Sequence, residues 1–116
     1  MTQEDKNLLL KDLCARLPYG VMVYFEGWNP EKLSEVNLNE DVYNGMGGMP
    51  VPYLRPMSSM TEEERKHFES LCCWGKWEYG PIITLKAADW LNENKFDYRG
   101  LIEKGLALEA PEGMYE

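Results

Sequence analysis

Apolar residues recur at three- and four-residue spacing along the start of the chain, where Leu9, Leu10, Leu13, Cys14 and Leu17 share one helical face. Thr2 with Asp5 three residues later approximates a capping box, so the pattern predicts a helix over residues 3–17. Pro18 and Gly20 end it. The period then shortens. Val21 to Phe25 is a β-branched and aromatic run that reads as a strand. A turn follows Gly27, holding Trp28, Asn29 and Pro30, and leads to a second strand of weaker alternation over Lys32 to Leu38. Asn39 to Asp41 reads as another turn, and Val42 with Tyr43 as the start of a third strand that Gly45, Gly47 and Gly48 cut short.

Met49 to Met60 carries prolines at 50, 52 and 56, which lack the N–H that a helix or a central strand needs. An extended linker or edge path is expected there. Thr61 and Glu64 form a second capping box with Glu62 and Glu63 between them, and Phe68, Leu71 and Cys72 give a narrow apolar face, so a helix is predicted over 62–72. The next stretch, CCWGKWEYGP, is too broken by glycine for a regular element, and Ile82 with Ile83 reads as a short strand. Thr84 caps a helix reaching Asn94.

From Asp89 to Pro111 the local signals are densest. Asp97 is placed to cap a helix starting at Tyr98, with Phe96 stapled onto Leu101. Gly105 is placed for the left-handed position after Lys104, which would turn Leu106 back onto Leu101. The expected fold is α+β in a single domain, 1–116. A small antiparallel sheet over about 20–56 has helices before and after it, and a C-terminal helix-corner-helix closes the core.

Composition narrows the setting. A chain of 116 residues, 44% hydrophobic and 28% charged, suits one core. No apolar run approaches the roughly 20 residues that span a bilayer, and the acidic N-terminal residues do not form a signal peptide, so no membrane contact and a cytoplasmic location are expected. Three cysteines, two of them adjacent, do not make a disulfide framework. A formal charge of −8 repels nucleic acid, so no direct nucleic-acid binding is expected.

Candidate chemistry is sparse. His67, Cys72, Cys73 and Cys14 lack the two-to-four-residue separation that brings two ligands to one tetrahedral zinc, and no other histidine is available to activate a thiol. Among 20 acidic residues, pairs such as Asp89 and Glu93 read as a solvated helix face. The GMGG stretch at 45–48 lacks the lysine of a phosphate loop. Arg55 and Arg99 are expected to pair with nearby carboxylates. Neither a catalytic set, nor a metal site, nor a cofactor is expected. Trp28, Tyr53, Trp74, Trp77 and Tyr79 stand apart, because they fall in turns, glycine-flanked loops or the proline-rich path where periodicity does not account for them. They cover the sheet, form a candidate partner surface, or line a site for a sugar or small ligand.

Two blocks, PYLRPMSSMTEEER ending at Arg65 and DWLNENKFDYRGLIEKGLALEAPEGMY over 89–115, resemble the shared segments of a family of small uncharacterised proteins. That family is found in gut Bacteroides-type bacteria and is associated with prophages or other mobile elements. The resemblance implies a bacterial or phage cytosolic setting and transfers no functional residue. Small size, acidic charge and the lack of a catalytic set lead to the expectation of a non-enzymatic interaction or regulatory protein of a mobile element, with an unidentified protein partner. The alternative is an acidic nucleic-acid mimic that inhibits a host DNA-binding protein.

Overall fold

The first capping box forms as its spacing predicts. In the computed structural model, which describes residues 2–74, 81–82 and 84–115, Asp5 donates its N–H to the Thr2 hydroxyl, and its carboxylate accepts from the Thr2 N–H. Helix α1 runs over Gln3–Arg16 and passes into a 3-10 turn, Leu17–Tyr19, which Gly20 ends in the left-handed conformation. Its buried face differs from the expected one. Leu9 and Leu13 are buried together with Asp12 and Arg16, whereas Leu10 and Cys14 are exposed. The charges are tolerated because they pair. Arg16 Nε donates to Asp12 Oδ2 at 2.8 Å and Nη2 donates to the Phe96 carbonyl at 2.7 Å.

Strand β1 (Met22–Tyr24) continues the predicted alternation, with Val21, Val23 and Phe25 buried and Met22 and Tyr24 half-buried. The predicted second strand is much shorter than its pattern. β2 is Glu31–Lys32 alone, and residues 35–38 form a 3-10 turn in which Asn37 Oδ1 accepts from the Ser34 N–H and hydroxyl. The predicted third strand at Val42 and Tyr43 is instead a short helix, α2 (Glu40–Gly45), whose first amides, at Asp41 and Val42, donate to Asn39 Oδ1. In both places a polar side chain that satisfies nearby backbone groups outcompetes a weak β pattern.

β3 (Val51–Pro56) leads through a 3-10 turn, Met57–Ser59, to α3 (Glu62–Leu71), which has the predicted Thr61–Glu64 box. A two-strand hairpin of β4 (Cys73–Trp74) and β5 (Pro81–Ile82) follows, then α4 (Leu85–Glu93), β6 (Phe96–Asp97) and β7 (Leu108–Glu109). The fold is α+β. Its main sheet is mixed, not an antiparallel meander: β1 pairs antiparallel with β2 and β3, while β6 and β7 pair parallel with β3.

The proline-rich path expected at an edge is therefore the central strand. Each neighbour engages only two of its residues, and adjacent residues turn to opposite neighbours. Arg55 donates its N–H to the Lys95 carbonyl on the β6 side, and the Leu54 carbonyl accepts from Ala110 on the β7 side. Pro52 and Pro56 share the parity of Leu54, and β7 pairs with Tyr53 and Leu54 only. The missing donors thus face the β7 side, beyond the two residues that β7 pairs.

The core joins Leu9 and Leu13 of α1 to Val21, Val23, Leu54, Leu101 and Leu106. Residues 98–104 form no α-helix, because Gly100 takes a φ of +72° and interrupts the predicted path. Asp97 still caps the turn after it, accepting from the N–H groups of Leu101 at 2.9 Å and Ile102 at 3.0 Å. The predicted stop also forms: Leu106 N–H donates to the Leu101 carbonyl, Gly105 N–H to that of Ile102, and Gly105 has a φ of +75°. No atom lies within 4 Å of a Cβ added at Gly105, so Gly105→Ala tests the backbone alone. It is expected to cost about 1 kcal/mol in urea melts with an unchanged slope.

Candidate functional site

A column of rings carries support from the helices to the end of β3. Phe68 of α3 stacks on Trp90 of α4 at 6.2 Å, Trp90 on Phe96 of β6 at 5.6 Å, and the Arg55 guanidinium lies 4.2 Å above Phe96. The staple predicted between Phe96 and Leu101 gives way to this stack, and Leu101 belongs to the main core instead. Arg55 then closes a two-bond fork on Glu64, with Nη1 to Oε2 at 2.9 Å and Nη2 to Oε1 at 2.8 Å. Glu64 Oε1 also accepts from the Thr61 N–H, completing the capping box of α3. Hydrogen bonding from Arg55, above all, holds the Glu64 carboxyl below its ordinary pKa.

A C-terminal turn at residues 112–115 faces this fork and is tied down by Tyr115. The Tyr115 hydroxyl accepts from the Met22 N–H at 2.9 Å and donates to the Tyr53 carbonyl at 2.6 Å, while Lys95 Nζ sits 5.1 Å from its ring. Burial pushes the phenol up to about 12. A phenol with a raised folded value favours the fold fully below its ordinary pKa of 10.0, and that contribution fades as pH rises towards 12. Tyr115→Phe is therefore expected to be less stable at neutral pH, and to lose less further stability across that alkaline window than the parent chain. Urea midpoints measured at both ends of the window check it.

Between the Arg55–Glu64 fork and the C-terminal turn lies a cleft of about 420 Å³. Its near wall is Arg55, Pro56, Ser59, Thr61 and Glu64, and its far wall is Glu109 through Tyr115. Most polar groups in it are committed. The Ser59 hydroxyl donates to the Pro56 carbonyl, the Thr61 hydroxyl accepts from the Glu64 N–H, and Arg55 is spent on Glu64. The carboxylates of Glu109 and Glu112 have no ion pair among the described residues. Among the described residues that line it, no nucleophile is hydrogen-bonded to a base.

The predicted aromatic surface is only partly described. Trp28 is 58% exposed in the turn after β1, its N–H donating to the Phe25 carbonyl. Tyr53 is half-buried in β3, and Trp74 pairs through its backbone with Pro81. Trp77, Tyr79 and the predicted strand position Ile83 lie outside the described residues. The pairing of Tyr24 with Val51 sends the Trp28 turn beyond the start of β3, so Tyr53 lies roughly 10 Å or more back along the strand, at about 3.3 Å per residue.

Other singled-out residues have structural surroundings. Arg99 pairs with Asp12 at 3.4 Å and donates to the Tyr98 hydroxyl, which reaches Asn92. His67 is exposed with its ring 5.4 Å from Trp90, and Cys72 is buried. Among the described residues no group of three or more His, Cys, Asp or Glu is placed to hold a metal ion, and no helix is long and apolar enough to cross a membrane. The cleft had no local sequence signal, because its walls are some fifty residues apart in the chain and its free carboxylates look like any solvated ones. Compared with protein-family models, curated proteins and solved structures, the chain matches none.

Proposed function

We propose that this chain is a non-enzymatic protein-interaction protein, regulatory in role and of the kind that bacterial mobile elements carry, and that it receives its partner at the cleft beside β7. The observation that supports this most directly is the cleft's chemistry. Its hydroxyls and its guanidinium are occupied by local bonds, while two carboxylates and a strand edge are left open. Groups so committed suit the positioning of a bound segment better than a reaction. The mobile-element setting rests on the two sequence blocks, one ending at Arg65 and the other spanning 89–115, which also supply every residue that lines the cleft.

Site-specific photo-crosslinking tests the reading. A benzophenone amino acid at Met114, which lines the cleft, is expected to trap one protein from host extract, and the same group at Trp28 none. Trapping at Trp28 alone would move the interaction to the aromatic turn, and trapping at neither would remove the interaction reading. A trapped DNA-binding protein that duplex DNA displaces would select the nucleic-acid mimic instead.

A further inference from the structure

β7 is an edge whose outward backbone is open. In its parallel register with β3, Leu54 opposes Glu109 and its carbonyl accepts from the Ala110 N–H at 2.8 Å. Residues 108 and 110 therefore turn their polar groups towards β3, and Glu109, between them, turns its N–H and carbonyl away. Neither of those two groups has a hydrogen-bond partner among the described residues. Glu109 is exposed and so is its strand neighbour Leu108, at 41%.

This open edge runs along the rim of the cleft, because Glu109 and Ala110 are both part of its wall. An extended chain laid there would gain main-chain bonds from Glu109 and send alternate side chains into the cleft. The charge inside selects among such chains. Glu64 is paired with Arg55, but Glu109 and Glu112 have no ion pair among the described residues, so this wall presents two unpaired carboxylates. The formal charge of −8 over the whole chain draws the same kind of partner in and repels anionic ones. A cavity of about 420 Å³ has room for a long side chain.

Resting on the reading of the cleft as the interaction site, we propose that its occupant is an extended segment of a partner protein bearing a lysine or arginine. Its backbone pairs with the outer edge of β7, and its cationic group lies between Glu109 and Glu112. Arg55 does not compete for these carboxylates, because its fork on Glu64 and its contact with Phe96 hold it on the opposite wall.

The test uses the full chain and a short acetylated, amidated Thr/Val peptide with one central arginine, beside counterparts with glutamine or glutamate at that position. Fluorescence anisotropy is expected to show binding of the arginine peptide alone, weakening as salt rises from about 20 to about 200 mM. Glu109→Gln combined with Glu112→Gln is expected to weaken it by about tenfold, and Glu63→Gln, on the exposed part of α3 outside the cleft, to leave it unchanged. Glu109→Pro removes the outward N–H as well as the carboxylate without touching the Ala110 bond to Leu54, and is expected to abolish peptide binding that Glu109→Gln only weakens, while thermal unfolding stays cooperative. Equal binding of all three peptides, still sensitive to Glu109→Pro, would overturn the basic occupant and leave the interaction site standing. Binding of free arginine methyl ester as tight as the peptide, and no weaker in Glu109→Pro than in Glu109→Gln, would overturn the extended segment in favour of a small-cation site. No binding by any probe would overturn both the occupant and the cleft as an interaction site, marking β7 as an edge kept short and charged against pairing.

Discussion

Asp12→Ala is expected to cost about 3–5 kcal/mol, because it leaves a fully buried guanidinium without its counter-charge. Asp12 and Arg16 are both 0% exposed, and Asp12 also accepts from Arg99 at 3.4 Å. Arg16 has little in reserve: Nη2 is bound to the Phe96 carbonyl, and Nη1 is buried with no hydrogen-bond partner among the described residues, though its Cζ lies 5.4 Å from the Tyr98 ring. Loss of the carboxylate therefore strands a charge in the interior and loosens α1 from β6. Replacing both members, Asp12→Leu with Arg16→Met, is expected to be close to neutral, since paired apolar groups remove the desolvation cost of both ions. Urea melts of the two variants check this, and a loss under about 1 kcal/mol for Asp12→Ala would show that Arg16 does not depend on Asp12.

Leu101→Ala is expected to lose about 2–4 kcal/mol. Leu101 is 0% exposed and belongs to the same core cluster as Leu9, Leu13 and Leu106. Its N–H is held by Asp97 and its carbonyl by the Leu106 N–H, so the side chain fixes a turn whose two ends are both pinned. The cavity cannot close by a shift of this turn without breaking one of those bonds. A loss below about 1 kcal/mol would mean that the turn relaxes into the space.

Local chemistry is what the sequence displays best. The boxes at Thr2 and Thr61, the cap at Thr84 and the left-handed Gly105 form at their predicted positions, because each depends on residues within a few places of one another. What was not legible depends on distant partners or on too few residues to make a pattern. β6 and β7 are two residues each, too short for alternation to register, yet they make the proline-bearing β3 central. Lys95 takes a φ of +61° on leaving α4, and a lysine carries no signal for that conformation. Asp12 and Arg16 look like a solvated pair one turn apart, yet both are buried, and Arg16 reaches the Phe96 carbonyl 80 residues further on. The cleft has the same origin. It exists only because β7 brings Glu109 and Glu112 opposite the Arg55–Glu64 fork.

Amide hydrogen exchange at Glu109 and Ala110 tests the open edge most directly. In the free chain the Ala110 amide, bound to the Leu54 carbonyl, is expected to be protected, and the Glu109 amide to exchange near the rate of an unstructured peptide. With the arginine peptide bound, Glu109 is expected to slow and Ala110 to stay as it was. Protection of Glu109 in the free chain, or no slowing with peptide bound, would contradict an edge that receives a partner.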